Sequence, residues 1–236
     1  YAMIALGYTM VYGVLGLINF AHSEVFMIGA VAGIEVYRYL GPLVGNPYLL
    51  AGLAMVIAAA ISGGVAMAIE RLAYRPLRRR GSTNRLVPLI TAIGVSFFLQ
   101  DFVRLIEGLW HGEFFMNYPS DPRLEKTFAL PLEMTIQVKS IIVVGVTALM
   151  LFGLDHLVRR TRLGRAIRAV AQDLPTAGLM GINPDRIIAR TFLIGGALGG
   201  VAGVLFGLLY SQINPFVGFV PGVKAFTAAV LGGIGN

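Results

Sequence analysis

Residues 48–69, YLLAGLAMVIAAAISGGVAMAI, hold no charged side chain over 22 positions. A helix needs about 20 apolar residues to cross the hydrocarbon core of a bilayer, so this segment predicts a membrane span. The rest of the chain suits the same solvent. Only 13% of its 236 residues are charged, against about 25% in a typical soluble domain. Further spans are predicted at 86–106, 136–154 and 187–210. Their charges (Asp101 and Arg104, Lys139, Arg190) fall near the predicted ends, where long side chains reach the interface. Two apolar runs at 1–17 and 25–40 and a Gly-rich stretch at 216–236 bring the expectation to about six to seven spans. The predicted fold is an all-α polytopic membrane protein with one transmembrane domain over 1–236. The chain opens inside an apolar run and ends without a polar tail, which predicts truncation at both ends.

The basic residues set the orientation. Segment 71–85 holds six of the nineteen Lys and Arg, and segment 155–190 holds seven. Cytoplasmic loops carry the excess of Lys and Arg, so both segments are predicted inside, with 41–47, 107–135 and 211–220 outside. Loop 107–135 has five acids, Glu107, Glu113, Asp121, Glu125 and Glu133, against two bases. A nucleic-acid surface would interleave aromatic stacking residues with the basic runs; these runs abut spans and lack them, so no nucleic-acid partner is expected.

Several chemistries are closed. There is no cysteine, so neither a disulfide framework nor a thiolate zinc site can form. His22-x-Glu24 looks like half of a deaminase zinc signature but lacks its later cysteine pair, and no metal or other cofactor is expected. A P-loop needs Gly-Lys-Ser/Thr, and none of Lys126, Lys139 and Lys224 follows a glycine. No nucleophile–base–acid constellation is apparent. The chain is therefore expected to be no enzyme and to move solute either passively or with energy from a partner.

Two features inside the apolar background stand out. Gly195, Gly199, Gly203 and Gly207 recur every four residues, so they share one helix face. Such faces let helix backbones approach closely in lipid, which predicts packing within the subunit, a subunit contact or a sliding helix. In INFAHSEVFMIG, Asn19, His22 and Glu24 interrupt what could have been one span. Ionisable groups at membrane depth tend to line pathways, so the three are expected at the translocation path or inner gate; an ordinary short turn at the inner side is the alternative.

Residues 159–186, RRTRLGRAIRAVAQDLPTAGLMGINPDR, are the polar excursion between the last two long spans. LGRAIRAVAQD suits a helix. Pro175 suits the first turn of a second one, Asp173 can satisfy its orphan amides, and Gly181 can end it at positive φ. The result is either a docking element or a solvated connector. Here the sequence resembles a known family. GRAIRAVAQDLPTAGLMGIN looks like the cytoplasmic coupling loop of ABC-importer permeases. With GYTMVYGVLGLINFAHSEVFMIGA, IERLAYRPLR, LITAIGVSFFLQ and FTAAVLGGIGN, it resembles the permease family of branched-chain amino-acid importers. A small departure is Ser23, where the family more often has Gly.

The resemblance implies an ABC-importer transmembrane domain in a bacterial cytoplasmic (inner) membrane, in contact with lipid. It would pair with a second, homologous permease subunit, two ABC ATPase subunits and an extracytoplasmic solute-binding protein. The small-molecule substrate would be a branched-chain amino acid or, as in sister importers, urea or a short amide. An autonomous channel or secondary carrier is the rival class. The coupling loop would span 155–187, with a coupling helix at 173–182. The coupling residues would be Arg165, Asp173, Thr176, Ala177, Gly178, Gly181, Ile182 and Asn183.

Overall fold

The computed structural model describes residues 1–16, 19–79, 86–119, 121–129 and 135–233. Helix α1 (Ala2–Leu15) is followed, after a break, by α2 (His22–Leu40). Helix α3 (Pro47–Ile69) starts where the Asn46 side chain accepts from the amides of Tyr48 and Leu49, with Pro47 in the first turn. It continues through a π-helical turn (Glu70–Tyr74) into α4 (Arg75–Arg79), one rod of 33 residues. Next come α5 (Leu86–Trp110), β1 (Met116–Asn117), α6 (Pro122–Glu125), β2 (Thr127–Ala129) and β3 (Thr135–Gln137). Then follow α7 (Val138–Arg160), α8 (Arg162–Gln172), α9 (Leu174–Leu179), α10 (Pro184–Tyr210), β4 (Gln212–Ile213) and α11 (Phe219–Leu231).

Among the described residues, four helices are long and apolar enough to cross a membrane: the α3–α4 rod, α5, α7 and α10. Helices α1 and α11 are apolar but shorter, and α2 carries Glu24, Glu35 and Arg38. Helix α2 tolerates these charges because most of its surface is buried against neighbouring helices rather than lipid.

Helix α10 is the packing centre, bounded by α1, α2 and α3. Its glycines divide between two faces. Gly195 meets Gly7 of α1, Gly199 meets His22, and Gly203 meets Phe26, Gly29 and Ala30 of α2. Gly207 lies against the Tyr118 ring. The neighbouring Gly196 and Gly200 meet Ser62 and Ala58 of α3. Backbones therefore touch on both sides of α10, which favours association by close van der Waals packing where lipid gives no apolar drive.

One end of the bundle is basic and the other acidic. Asp185 at the start of α10 meets Arg78 and Arg79 of α4. At the far end Arg38 pairs with Glu35 at 3.0 Å, with Glu107 at 3.7 Å and with Glu113. Two small antiparallel pairings close this acidic end: β1 with β4 (Met116↔Ile213) and β2 with β3 (Thr127↔Gln137). The Tyr118 hydroxyl reaches under them and donates to Ala30 O at 2.6 Å.

The described residues are mostly helical, as expected, with two short antiparallel pairings at the acidic end. One expectation needs correction. Helix α5 runs to Trp110, so Asp101 and Arg104 lie nine and six residues inside its end. The two are strongly exposed and only 4.0 Å apart. Helix α7 continues through Asp155–Arg160 and α10 starts at Pro184, so both ends of the expected loop 155–187 are helical. Of the basic segment 71–85, residues 80–85 lie outside the described residues, as does Glu133.

Candidate translocation and coupling sites

The break after α1 leads into the middle of the bundle. His22, the first residue of α2, packs against Gly199, the sixteenth of the 27 residues of α10. Helix α2 therefore begins near mid-depth. Asn19, His22 and Glu24 are all buried, which excludes the simple solvated turn. The His22 ring meets Tyr8 edge-on at 4.9 Å, in space that Gly7 leaves open. Asn19 Oδ1 accepts from the Tyr74 hydroxyl at 2.9 Å, tying the break to the π-helical turn.

Glu24 has no exposed surface. Its Oε1 accepts from Gln100 Nε2 at 2.9 Å and from the Ser96 and Ser23 hydroxyls at 3.1 Å each. Its Oε2 accepts no hydrogen bond among the described residues and faces Gly218, just before α11. The carboxylate thus sits in the first turn of α2 and beside the start of α11. Helix N-termini carry partial positive charge, so both ends favour an anion here. Non-helical chain at this depth is tolerated only where protein or water surrounds it. Gly218 leaves room for the Ser23 carbonyl and Gly222 for the Ser23 side chain.

A cavity of about 150 Å³ opens beside this cluster. Polar Ser23, Ser96 and Gln100 line it together with aromatic Phe20, Phe97 and Phe219. Ser96 and Gln100 lie on α5, whose outward face also carries Asp101 and Arg104. Helix α7 exposes Ile141, Val144, Leu149 and Phe152, and α5 likewise exposes Phe97, Phe98 and Leu105, but Asp101 sits nine residues inside the end of α5. A charged pair on a lipid-facing surface would be costly, so α5 is the helix suited to face protein or water. A separate grouping, Glu35, Glu107 and His111, brings ligand-type atoms within 4.8 Å of one another. Arg38 already lies among these carboxylates and offsets part of their charge, so this is an ion-pair cluster.

At the basic end three caps define the polar excursion. Thr161 Oγ1 accepts from Gly164 N at 3.0 Å to start α8. Asp173 Oδ1 accepts from Thr176 N at 3.0 Å, and its Oδ2 accepts from the Thr176 hydroxyl at 2.6 Å, to start α9. Asn183 Oδ1 accepts from Arg186 N at 3.1 Å to start α10. Helix α9 ends through Ile182 N donating to Ala177 O at 3.1 Å, with Gly181 at φ 81. A side chain at that left-handed position costs roughly 1–2 kcal/mol, which is why glycine stands there. The helix proper is Leu174–Leu179, shorter than the expected 173–182.

Each coupling residue has a defined place. Ala177 is buried against the bundle and Ile182 half-buried; Arg165, Asp173, Thr176, Gly178, Gly181 and Asn183 are exposed. Leu179 and Met180, with 89% and 79% of their surface exposed, project apolar side chains away from it. The two hydrogen bonds from Thr176, the hydroxyl first and the amide second, hold the Asp173 carboxyl below the usual carboxylate range. A depressed folded value means that the cap's contribution is present above the unfolded value of about 3.9. It is lost as pH falls through the lower folded value. Protection of the 174–182 amides, taken relative to the intrinsic exchange rate at each pH, is therefore expected to hold down to about pH 4 and to fall only below it; a fall between pH 7 and 5 would contradict the cap.

Sequence reasoning missed Glu70, Tyr74, Arg78 and Asp185 at the basic end, and Ser96, Gln100 and Tyr118 elsewhere. Glu70 and Arg75 are five residues apart, a spacing that an α-helix would not align but a π-helical turn does.

The comparisons with known proteins agree with this architecture. The family described as "Branched-chain amino acid transport system / permease component" matches residues 1–236. The chain is 44% identical to the high-affinity branched-chain amino acid transport system permease protein LivH of Escherichia coli K12, covering all of this chain and 75% of that protein. It is 46% identical to BraD of Pseudomonas aeruginosa, covering all of this chain and 76% of the relative. It is 27% identical to the permease protein LivM of Salmonella typhimurium, over all of this chain and 57% of the relative. No solved structure matches it. With the full length matched and the buried helical bundle in place, the chain belongs to the family of branched-chain amino acid transport permease components.

Proposed function

We propose that this permease subunit imports branched-chain amino acids across a bacterial cytoplasmic membrane, driven by ATPase subunits that dock on its basic end. The observation that carries the proposal is the capped helix α9, which presents exposed Leu179 and Met180 beside the basic α8. An apolar knob held rigidly by its own caps is suited to a groove on a cytoplasmic partner. The basic end belongs inside by the distribution of Lys and Arg. The sequence carries no P-loop, so ATP hydrolysis belongs to the partners. Similarity to both LivH and LivM supports a pore built from two related permeases. A solute-binding protein would meet the acidic end and deliver substrate from outside.

The path runs along α5 beside Asn19, His22 and Glu24. The cavity there combines polar groups with an aromatic lining, a combination suited to a solute with a charged head and an aliphatic side chain.

Reconstitution tests the proposal. With the ATPases, the second permease and the binding protein in liposomes, leucine uptake should require ATP; flux through the purified chain alone would point to a channel instead. The loop is tested by the double substitution Asp173→Ala with Gly181→Val. It should insert normally, retain less ATPase on purification and lose most uptake. Full ATPase retention with full uptake would remove the assigned role of the loop.

A further inference from the structure

We propose that the π-helical turn Glu70–Tyr74 is a strut that carries movement of the docked loop to the buried polar cluster, an inference that rests on the importer reading. Both of its ends are tied by side chains. At the lower end Asp185, two residues beyond the α10 cap, accepts from Arg78 Nη2 at 2.6 Å and from Arg79 Nη2 at 2.9 Å. Arg75 Nη2 reaches the Asp185 carbonyl at 3.3 Å. Above them Glu70, without exposed surface, takes Arg75 Nη2 and Arg78 Nη2 at 3.0 Å each. The same Arg78 nitrogen therefore serves Glu70 and Asp185. From the last residue of the turn the Tyr74 hydroxyl donates to Asn19 at 2.9 Å, and its ring rests on Phe192 of α10 at 5.5 Å.

The contacts form one chain: loop, Asp185, Arg78, Glu70, π-helical turn, Tyr74, Asn19. A buried carboxylate shared by two guanidiniums resists separation, since breaking the pair would strand a buried charge. The α4 segment is tied to Asp185 through Arg78 and Arg79, so it follows Asp185 when the loop moves. Asn19 lies three residues before α2, which carries His22 and Glu24, so the pull ends at the candidate gate. A π-helical turn holds a local departure from the α ladder, and such turns are frequent at functional sites.

The test uses the whole complex in liposomes, with radiolabelled leucine uptake and ATP hydrolysis measured on the same vesicles. The variants are Tyr74→Phe, Asp185→Asn and the pair. Tyr74→Phe keeps the ring on Phe192 and removes only the hydroxyl, so folding should survive it. Each single variant is expected to lower uptake about tenfold, within the usual range of coupling energies, while hydrolysis and ATPase retention stay within about twofold. Links in series give a double variant no worse than the weaker single. Unchanged uptake, a parallel loss of uptake and hydrolysis, or an additive fall of about a hundredfold in the double variant would each overturn the strut. Wild-type uptake that needs no ATP would sink the importer reading itself; ATP-dependent wild-type uptake with additive variants would sink the strut alone.

Discussion

Replacing Gly203 by valine is expected to remove the folded protein from the membrane almost completely. A Cβ at this position would lie 2.5 Å from Ala30 N and 2.9 Å from Gly29 C, both backbone atoms of α2. Backbone cannot swing aside as a side chain can. Nor can α10 retreat, because a Cβ at Gly200 on its α3-facing side would already be 2.5 Å from Ala58 O. Overpacking costs about 1–3 kcal/mol even where side chains can adjust, and two pinned backbones should exceed that range. Against a total stability of roughly 5–15 kcal/mol, the folded yield should fall to about a tenth or less of wild type. Gly64→Val is the control, since a Cβ at Gly64 meets nothing within 4 Å, and it should leave the yield near wild type. Size-exclusion profiles of detergent extracts compare the two directly. Equal yields would mean that α2 and α10 do not cross at these glycines.

The second large effect falls on transport rather than folding. Glu24→Gln keeps the shape of the side chain and an oxygen to accept from Gln100, Ser96 and Ser23. It removes the negative charge that the starts of α2 and α11 favour. Folded yield is expected to stay within about twofold, while leucine uptake falls about tenfold or more, because intramembrane charges tend to serve pathways. Glu24→Ala should also lower the yield, since it leaves buried Gln100 and half-buried Ser96 without their acceptor. Full uptake by Glu24→Gln, together with poor folding of Glu24→Ala, would make Glu24 a packing residue only.

These two cases show what a sequence carries and what it does not. The long spans were legible because an uninterrupted apolar run has few other solutions at this length. The loop was legible because Asp173, Pro175 and Gly181 act within a turn of themselves, so their chemistry needs no tertiary knowledge. The glycine row on α10 was visible as a face, but not that Gly196 and Gly200 serve a second neighbour. The depth of His22 was hidden, because it depends on where α2 starts relative to α10. Asp101 and Arg104 were misplaced because the predicted span ended at 106, whereas the helix continues to Trp110. Glu70 stood only within the block IERLAYRPLR; its pairing with Arg75 follows from five-residue geometry that an α-helical period does not show.

The most direct test asks from which side helix α9 can be touched. The sequence has no cysteine, so Met180→Cys adds its only thiol at an exposed position of the loop. A membrane-impermeant maleimide is applied to intact cells and to inside-out vesicles, with and without the ATPase subunits. Labelling only in inside-out vesicles, slowed when the ATPases are bound, is the expected result. Labelling in intact cells would put α9 on the outer face, beyond the reach of any cytoplasmic motor, and would contradict the coupling role.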